Sequence, residues 1–329
     1  MATPHTLTAR TPEDLLAAVP CVLGFRPEDS MVMLTFGPGA GFHARVDLPD
    51  GPEQVALVVE PLRAAACRNG VRRVVLIAYT GDAELARTVC DALAGGLEEA
   101  GVRVLEMLRC EGELWFPLTE GHPEPAYAGV RHDVTSHRFA VESVVRGRVT
   151  HASRADLAAS LRGTDAGRRA DVATAARRRR PGGSDPSRRR AAEARWVRDT
   201  LCEAVADGTT LAPADAGRLL VALQDRDTRN LAWSTITPAT CTGHVDLWSE
   251  LVRCSPEDLV AEPAALLGFA AWLAGSGALA WCALDRALAV EPDHALAADV
   301  GMLLENAVPP SAWERPRVGG SGAAPDGEE

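Results

Sequence analysis

The chain has 329 residues, which suits one or two domains, and 47% of them are hydrophobic, enough for a substantial core. Every one of its 34 basic residues is arginine, set against 45 acids, and a net charge of −11 disfavours non-specific binding to nucleic acid or anionic membrane. The opening MATPHTLTARTPEDLL lacks the pattern of a secretory signal, no apolar run reaches the ~18 residues that span a bilayer, and a cytoplasmic location with no membrane partner is expected.

Residues 1–10 read as a flexible N-terminus. Thr11-Pro12-Glu13-Asp14 then opens a helix: a threonine cap, proline in the first turn, and acids at the positive end of the dipole. Pro20 predicts a stop or kink near Val19, followed by one more turn. Gly24 is expected in a left-handed cap, with Phe25 folded back onto Val19 or Pro20. Arg26-Pro27-Glu28-Asp29-Ser30 reads as a corner before an interior strand, Met31 to Phe36. The glycines of Gly37-Pro38-Gly39-Ala40-Gly41 read as a hairpin loop. An alternating strand follows them, with Phe42, Ala44, Val46 and Leu48 on one face, where a phosphate loop would need a helix.

Residues 52–70 have helical spacing, a kink at Pro61 and a stop at Gly70. A buried strand (71–80), a helix (81–101) and another strand (102–108) follow, then a hairpin return turning at Glu111-Gly112. Strand–helix–strand units predict parallel pairing by right-handed crossovers, hence an α/β domain over 11–150 with a mixed sheet and helices on both faces. Ligands of such sheets gather at the carboxyl ends of parallel strands, which here carry Tyr79, Thr80 and Asp82, with Arg109 on the neighbouring strand. Asp82 also reads as a simple helix cap.

Residues 132–163 read as two helical pieces, with Ser153 and Asp156 at capping-box spacing. Residues 151–192 form a helical, arginine-rich linker. Over 151–200 there are 13 arginines against 6 acids, concentrated in the runs Arg177 to Arg180 and Arg188 to Arg190. No aromatic platform alternates with them, so a solvated linker is expected ahead of a nucleic-acid contact. An all-α domain spans 193–315, with helices expected over 194–208, 213–233, 245–254 and 255–275, and residues 316–329 read as a disordered acidic tail. In LQDRDTRN, Asp225 and Arg229 stand one helical turn apart and read as a surface ion pair.

The eight cysteines form no C-x-x-C pair and read as buried thiols. His132, Asp133 and His137 are close in sequence but lack a third ligand at metal spacing, and neither metal nor cofactor is expected. The spacing of Leu267, Gly268, Ala280, Leu284, Ala287 and Pro292 resembles one tetratricopeptide hairpin, with Ala264 and Ala271 where large aromatics are usual. A single hairpin cannot build a solenoid.

Three stretches carry a wider resemblance: DLLAAVPCVLGFRPEDSMVMLTF, SRADLAASL, and LLGFAAWLAGSGALAWCALDRALAVEPDHALA with PPSAWERP. On these the chain resembles the actinobacterial family called domain of unknown function 4192, over most of residues 11–315. It departs from that family's usual pattern at Gly275-Ser276-Gly277, at Arg229-Asn230 and at Trp115-Phe116-Pro117. The resemblance implies a cytoplasmic actinobacterial protein and brings no activity.

The reading favoured is a non-catalytic binding or regulatory module acting through a protein partner, because no nucleophile elbow, zinc helix or nucleotide fingerprint is present. The alternative is an enzyme with a small-molecule site at the sheet edge or domain interface. Its candidate ligand-binding residues are Arg26, Glu28, Asp29, Ser30, Thr80, Asp82, Arg109, Asp225 and Arg229. A second alternative is nucleic-acid binding through the arginine-rich linker.

Overall fold

The computed structural model describes residues 9–37, 42–145, 149–178 and 186–313, and the side chains of 186–189 are left out of account. The expectations for residues 1–8, for the glycine loop 38–41, for the arginine runs within 179–189 and for the acidic tail lie outside the described residues.

The N-terminal half is a sheet with helices on both faces, in the order α1 (Pro12–Leu23), β1 (Ser30–Phe36), β2 (Ala44–Asp47), α2 (Ala56–Arg68), β3 (Arg73–Tyr79), α3 (Ala83–Glu99), β4 (Arg103–Glu111), β5 (Leu114–Pro117) and β6 (Val130–Arg131). The six strands line up as β2-β1-β3-β4-β5-β6, and only β3 and β4 pair in parallel. Here the structure corrects one expectation. The β2–α2–β3 crossover makes β2 and β3 run the same way, but they are not neighbours. β1 lies between them, antiparallel to both. Its flanks are apolar on both faces, so it takes the interior slot and leaves the shorter, half-exposed β2 at the edge.

Alternation along the strands feeds two layers. Met31, Met33, Val74, Leu76 and Ala78 face Val58, Leu62, Val89 and Leu93 of α2 and α3. Val32, Leu34, Val75, Ile77 and Leu108 face Leu16 and Val19 of α1.

α1 begins as its sequence predicts, with Thr11 Oγ1 accepting from the Asp14 N–H, and ends where Gly24 (φ 79°) donates to the Pro20 carbonyl. It runs through Pro20 as one helix, although Pro20 has no N–H to return. Phe25 does not fold back on it. Phe25 enters the core of the helical half, held by Arg26 N–H to His151 O (3.1 Å) and His151 N–H to Gly24 O (2.8 Å). A second tie between the halves joins the end of α2 to the C-terminal residues, from Asn69 Nδ2 to Ala307 O at 2.9 Å.

The rest is helical: α4 (Arg138–Val145), α5 (Arg154–Ser160), α6 (Ala166–Arg178), α7 (Pro186–Asp207), α8 (Pro213–Ala222), α9 (Arg226–Ser234), α10 (Cys241–Cys254), α11 (Ala261–Leu273), α12 (Gly277–Leu288) and α13 (Ala295–Glu305). α4 returns to the sheet half and packs on α1. The others share one core around Trp248, Leu251, Leu267 and Phe269, edged by Trp313 against Trp233, Phe269 and Trp272. α6, within the stretch expected as linker, is packed into this core through Val172, with Ala176 buried beside it on the same helix.

Two expected helices are split. Residues 213–233 break before Asp225, whose carboxylate accepts from the Thr228 N–H and so caps α9. Residues 255–275 hold a 3-10 turn, Glu257–Leu259, ahead of α11. Among the described residues, no helix is long and apolar enough to cross a membrane.

Candidate functional site

The structure places the sequence-derived candidates in three separate locations. Arg26 to Ser30 make the corner between α1 and β1. Asp29 takes φ 42°, a left-handed value that aspartate tolerates better than most residues. Its carbonyl accepts from the Leu48 N–H. Ser30 is buried, donates to the Glu28 carbonyl and accepts from Arg45 Nε at 2.9 Å. Arg26 and Glu28 are exposed.

Thr80, Asp82 and Arg109 do meet at the carboxyl end of the parallel pair, where they satisfy one another. Asp82 Oδ1 accepts from the N–H groups of Glu84 and Leu85 and caps α3. Thr80 Oγ1 accepts from the Asp82 N–H. Arg109 is buried, with Nη1 donating to the carbonyls of Thr80 and Gly81 and to Glu111 Oε2 at 2.7 Å, while its guanidinium lies 3.9 Å over the Phe116 ring.

On the opposite face, Cys110 Sγ stands 3.8 Å from His132 Nε2. The Tyr79 hydroxyl and His132 Nδ1 are closed off without a described partner. Burial pushes the Cys110 thiol up to about 12, so it is protonated and unreactive as a nucleophile at neutral pH.

Asp225 and Arg229 do not pair through their side chains. Arg229 reaches Glu262, which is buried near the start of α11 and whose other oxygen meets His294 Nε2 at 3.1 Å. His294 Nδ1 accepts from the Ala297 N–H and caps α13, so Nε2 carries the proton and donates to Glu262. With Glu291, these residues bring three metal-type ligand atoms within 4.8 Å. However, a metal on Nε2 would need the lone pair that this tautomer gives to the proton, and Arg229 already neutralises Glu262. The arrangement is a staple across α9, α11 and α13. Its signal in the sequence was a lone acid in the otherwise apolar run AEPAALLGFAAWL.

A groove in two adjoining lobes of about 450 and 340 Å³ opens on the helical half. Four chain segments build it. The α5–α6 turn supplies Arg162 and Gly163. One face of α6 supplies Ala166, Arg169, Ala170, Ala173 and Arg177 at helical spacing. The end of α10 and the 3-10 turn bring Arg253, Ser255, Pro256, Glu257 and Asp258, and α12 brings Arg286. Gly163 permits the closure, since a Cβ there would fall on the Arg253 carbonyl.

Five arginines thus line the groove against two acids, in a chain whose net charge is −11. Arg286 grips Glu257 with both Nη groups at 2.6 Å, while its Nε–H is closed off without a described partner. The Arg286 hydrogen bonds, with the fields of Arg169 and Arg162, hold the Glu257 carboxyl below its ordinary value. Arg253 Nε donates to the Ser160 carbonyl at 2.9 Å. Among the described residues, the guanidiniums of Arg162, Arg169 and Arg177 have no hydrogen bond or ion pair. Sequence reading missed the groove because its arginines are scattered over more than a hundred residues, and a local charge count registers only Arg162 and those on α6.

No curated protein and no solved structure matches this chain. The model of one family, described as Domain of unknown function (DUF4192), matches residues 12–311. That span takes in the sheet, the corner, the staple and every residue of the arginine groove, and the chain belongs to this family.

Proposed function

We propose that the protein is a non-catalytic binding or regulatory module that acts through protein interaction, docking an acidic segment of a partner in the arginine groove. One observation carries this reading: guanidiniums from four chain segments converge on one open surface of an acidic protein, and three of them have no described hydrogen bond or ion pair. Arginine forks pair carboxylates bidentately, and opposed charge steers encounter. The lining contains no aromatic ring on which a base could stack, which favours a peptide over a nucleic acid. The alanines and Pro256 of the larger lobe suit small apolar side chains set between acids.

The test is fluorescence anisotropy of a dye-labelled peptide alternating Glu and Ala, titrated with the full chain at low salt. Wild type binds, and binding weakens as salt rises. The double reversal Arg162→Glu with Arg169→Glu binds at least about tenfold more weakly. No binding at low salt, or equal binding by the reversed variant, removes the reading.

The buried orphan atoms of Tyr79 and His132 favour a second reading, a small-molecule site at the sheet's carboxyl edge. It requires a compound that raises the melting temperature of the wild type but not that of His132→Leu, and failure to find one in a thermal-shift screen counts against it.

A further inference from the structure

We propose that Arg286, with Arg162 and Arg169, forms a seat for a phosphoryl group, and that Glu257 is a built-in competitor for that seat. The proposal rests on the docking reading above and names the chemistry of what docks.

The geometry begins with Arg286. Its two Nη groups hold the two oxygens of Glu257 at 2.6 Å each, the fork-to-fork mode by which a guanidinium also grips a phosphoryl group. The carboxylate takes one N–H from each Nη, while Nε–H, on the other edge of the guanidinium, is closed off without a described partner. A tetrahedral phosphoryl group gives two oxygens to the same fork and keeps a third for Arg162 and Arg169, which line the same lobe.

Glu257 is well suited to give way. Its side chain is 63% exposed and it sits on a single 3-10 turn between α10 and α11, where a rotamer change disturbs no helix. Charge favours the exchange too. Arg162 and Arg169 line the same lobe and act on Glu257 through their fields, yet one carboxylate cannot neutralise three guanidiniums. A phosphoryl group carries roughly −1.5 to −2 at neutral pH and comes closer. The same chemistry could reach the groove on a modified partner segment or as free inorganic phosphate.

The experiment titrates the full chain with three probes: a phosphoserine peptide flanked by Glu and Ala, its unmodified serine counterpart, and inorganic phosphate. Binding is read by calorimetry for wild type, Glu257→Gln and the double variant Glu257→Gln with Arg286→Gln. Wild type is expected to prefer the phosphorylated peptide by about tenfold. Glu257→Gln should widen that preference severalfold, and the double variant should lose the gain. The Arg162→Glu, Arg169→Glu protein keeps Arg286 and serves as a second check should the double variant fail to fold. It too should lose the preference.

Inorganic phosphate binding as tightly as the peptide also supports the seat and assigns the free ion as its source. Equal binding of both peptides overturns the phosphoryl proposal and leaves acidic docking standing. Binding of neither peptide overturns both. A phosphate preference unchanged in Glu257→Gln removes Glu257 as the competitor.

Discussion

The polar contacts that close single elements in the sheet half and those that join helices in the helical half work over different distances. In the sheet half, Thr11, Asp82, Thr80 and Ser30 satisfy backbone groups two or three residues away, and each closes one element. In the helical half, Arg229, Glu262 and His294 join three helices whose contacts span more than thirty positions, and Arg168 ties α6 to Glu250 of α10. A cap acts on the helix that carries it. A staple couples helices that would otherwise open separately.

The sharpest test of that contrast is Glu262. Glu262→Ala leaves the largely buried Arg229 guanidinium and the buried His294 without their common acceptor. Breaking such a pair from one side costs ~3–5 kcal/mol. Asp82→Ala removes a cap from exposed backbone in the sheet half and costs about 1 kcal/mol. Urea denaturation of both variants checks the order. Equal losses would show that the staple is no more than another cap.

Acid offers a second comparison. His244 is buried on α10, stacked against Trp248, with Nε2–H donating to the Thr235 carbonyl at 3.2 Å and Nδ1 without a described partner. Burial lowers its pKa from 6.5 to about 4. The unfolded chain therefore takes up a proton that the folded chain refuses, and stability falls as pH drops from 6.5 towards 4. The total is about 3 kcal/mol.

Asp14 of the sheet half answers to acid at a lower pH. Burial would raise its pKa, but the Arg10 N–H, the Arg138 guanidinium and the Thr11 N–H bond hold it below 3.8. Its contribution is complete above 3.8 and is lost only as pH falls through the lower folded value. His132 of the sheet half, also lowered by burial, resists its proton in the same way, so the comparison of variants isolates the His244 share. Denaturation midpoints at pH 7, 5.5 and 4.5 should fall for wild type and stay flatter for His244→Gln, which keeps an N–H for Thr235.

What could be read from the sequence follows the same division. The caps at Thr11, Asp82 and Ser153, the left-handed Gly24 and the return at Gly112 all depend on residues within one turn of each other, and the structure has them as expected. The sheet and its two helical faces followed from strand and helix periods. Contacts between distant segments did not. Nothing local says that β1 slides between β2 and β3, since that is a competition for an interior slot. Asp225 and Arg229 looked like partners because they are near in sequence, whereas Arg229 is matched to an acid 33 positions on. The arginine groove is the extreme case, assembled from residues that no single window contains.

Glycine gives the finest version of the comparison, because one substitution should have opposite signs in the two halves. Gly217 of α8 faces α6, and a Cβ there would stand 2.7 Å from the Ala176 nitrogen and 2.8 Å from the Val172 carbonyl oxygen. Those are backbone atoms of a packed helix and cannot turn aside, so Gly217→Ala must push α6 and α8 apart, at a cost of ~1–3 kcal/mol.

Gly95 of α3 is exposed, has ordinary helical backbone, and a Cβ there meets nothing within 4 Å. Its only effect in wild type is the extra freedom it gives the unfolded chain. Gly95→Ala is therefore expected to stabilise by ~0.5–1 kcal/mol, seen as a rise in the urea midpoint with an unchanged slope. A loss of stability at Gly95 would mean that the outer face of α3 is covered by something in the folded protein, and that the sheet half has close approaches of its own.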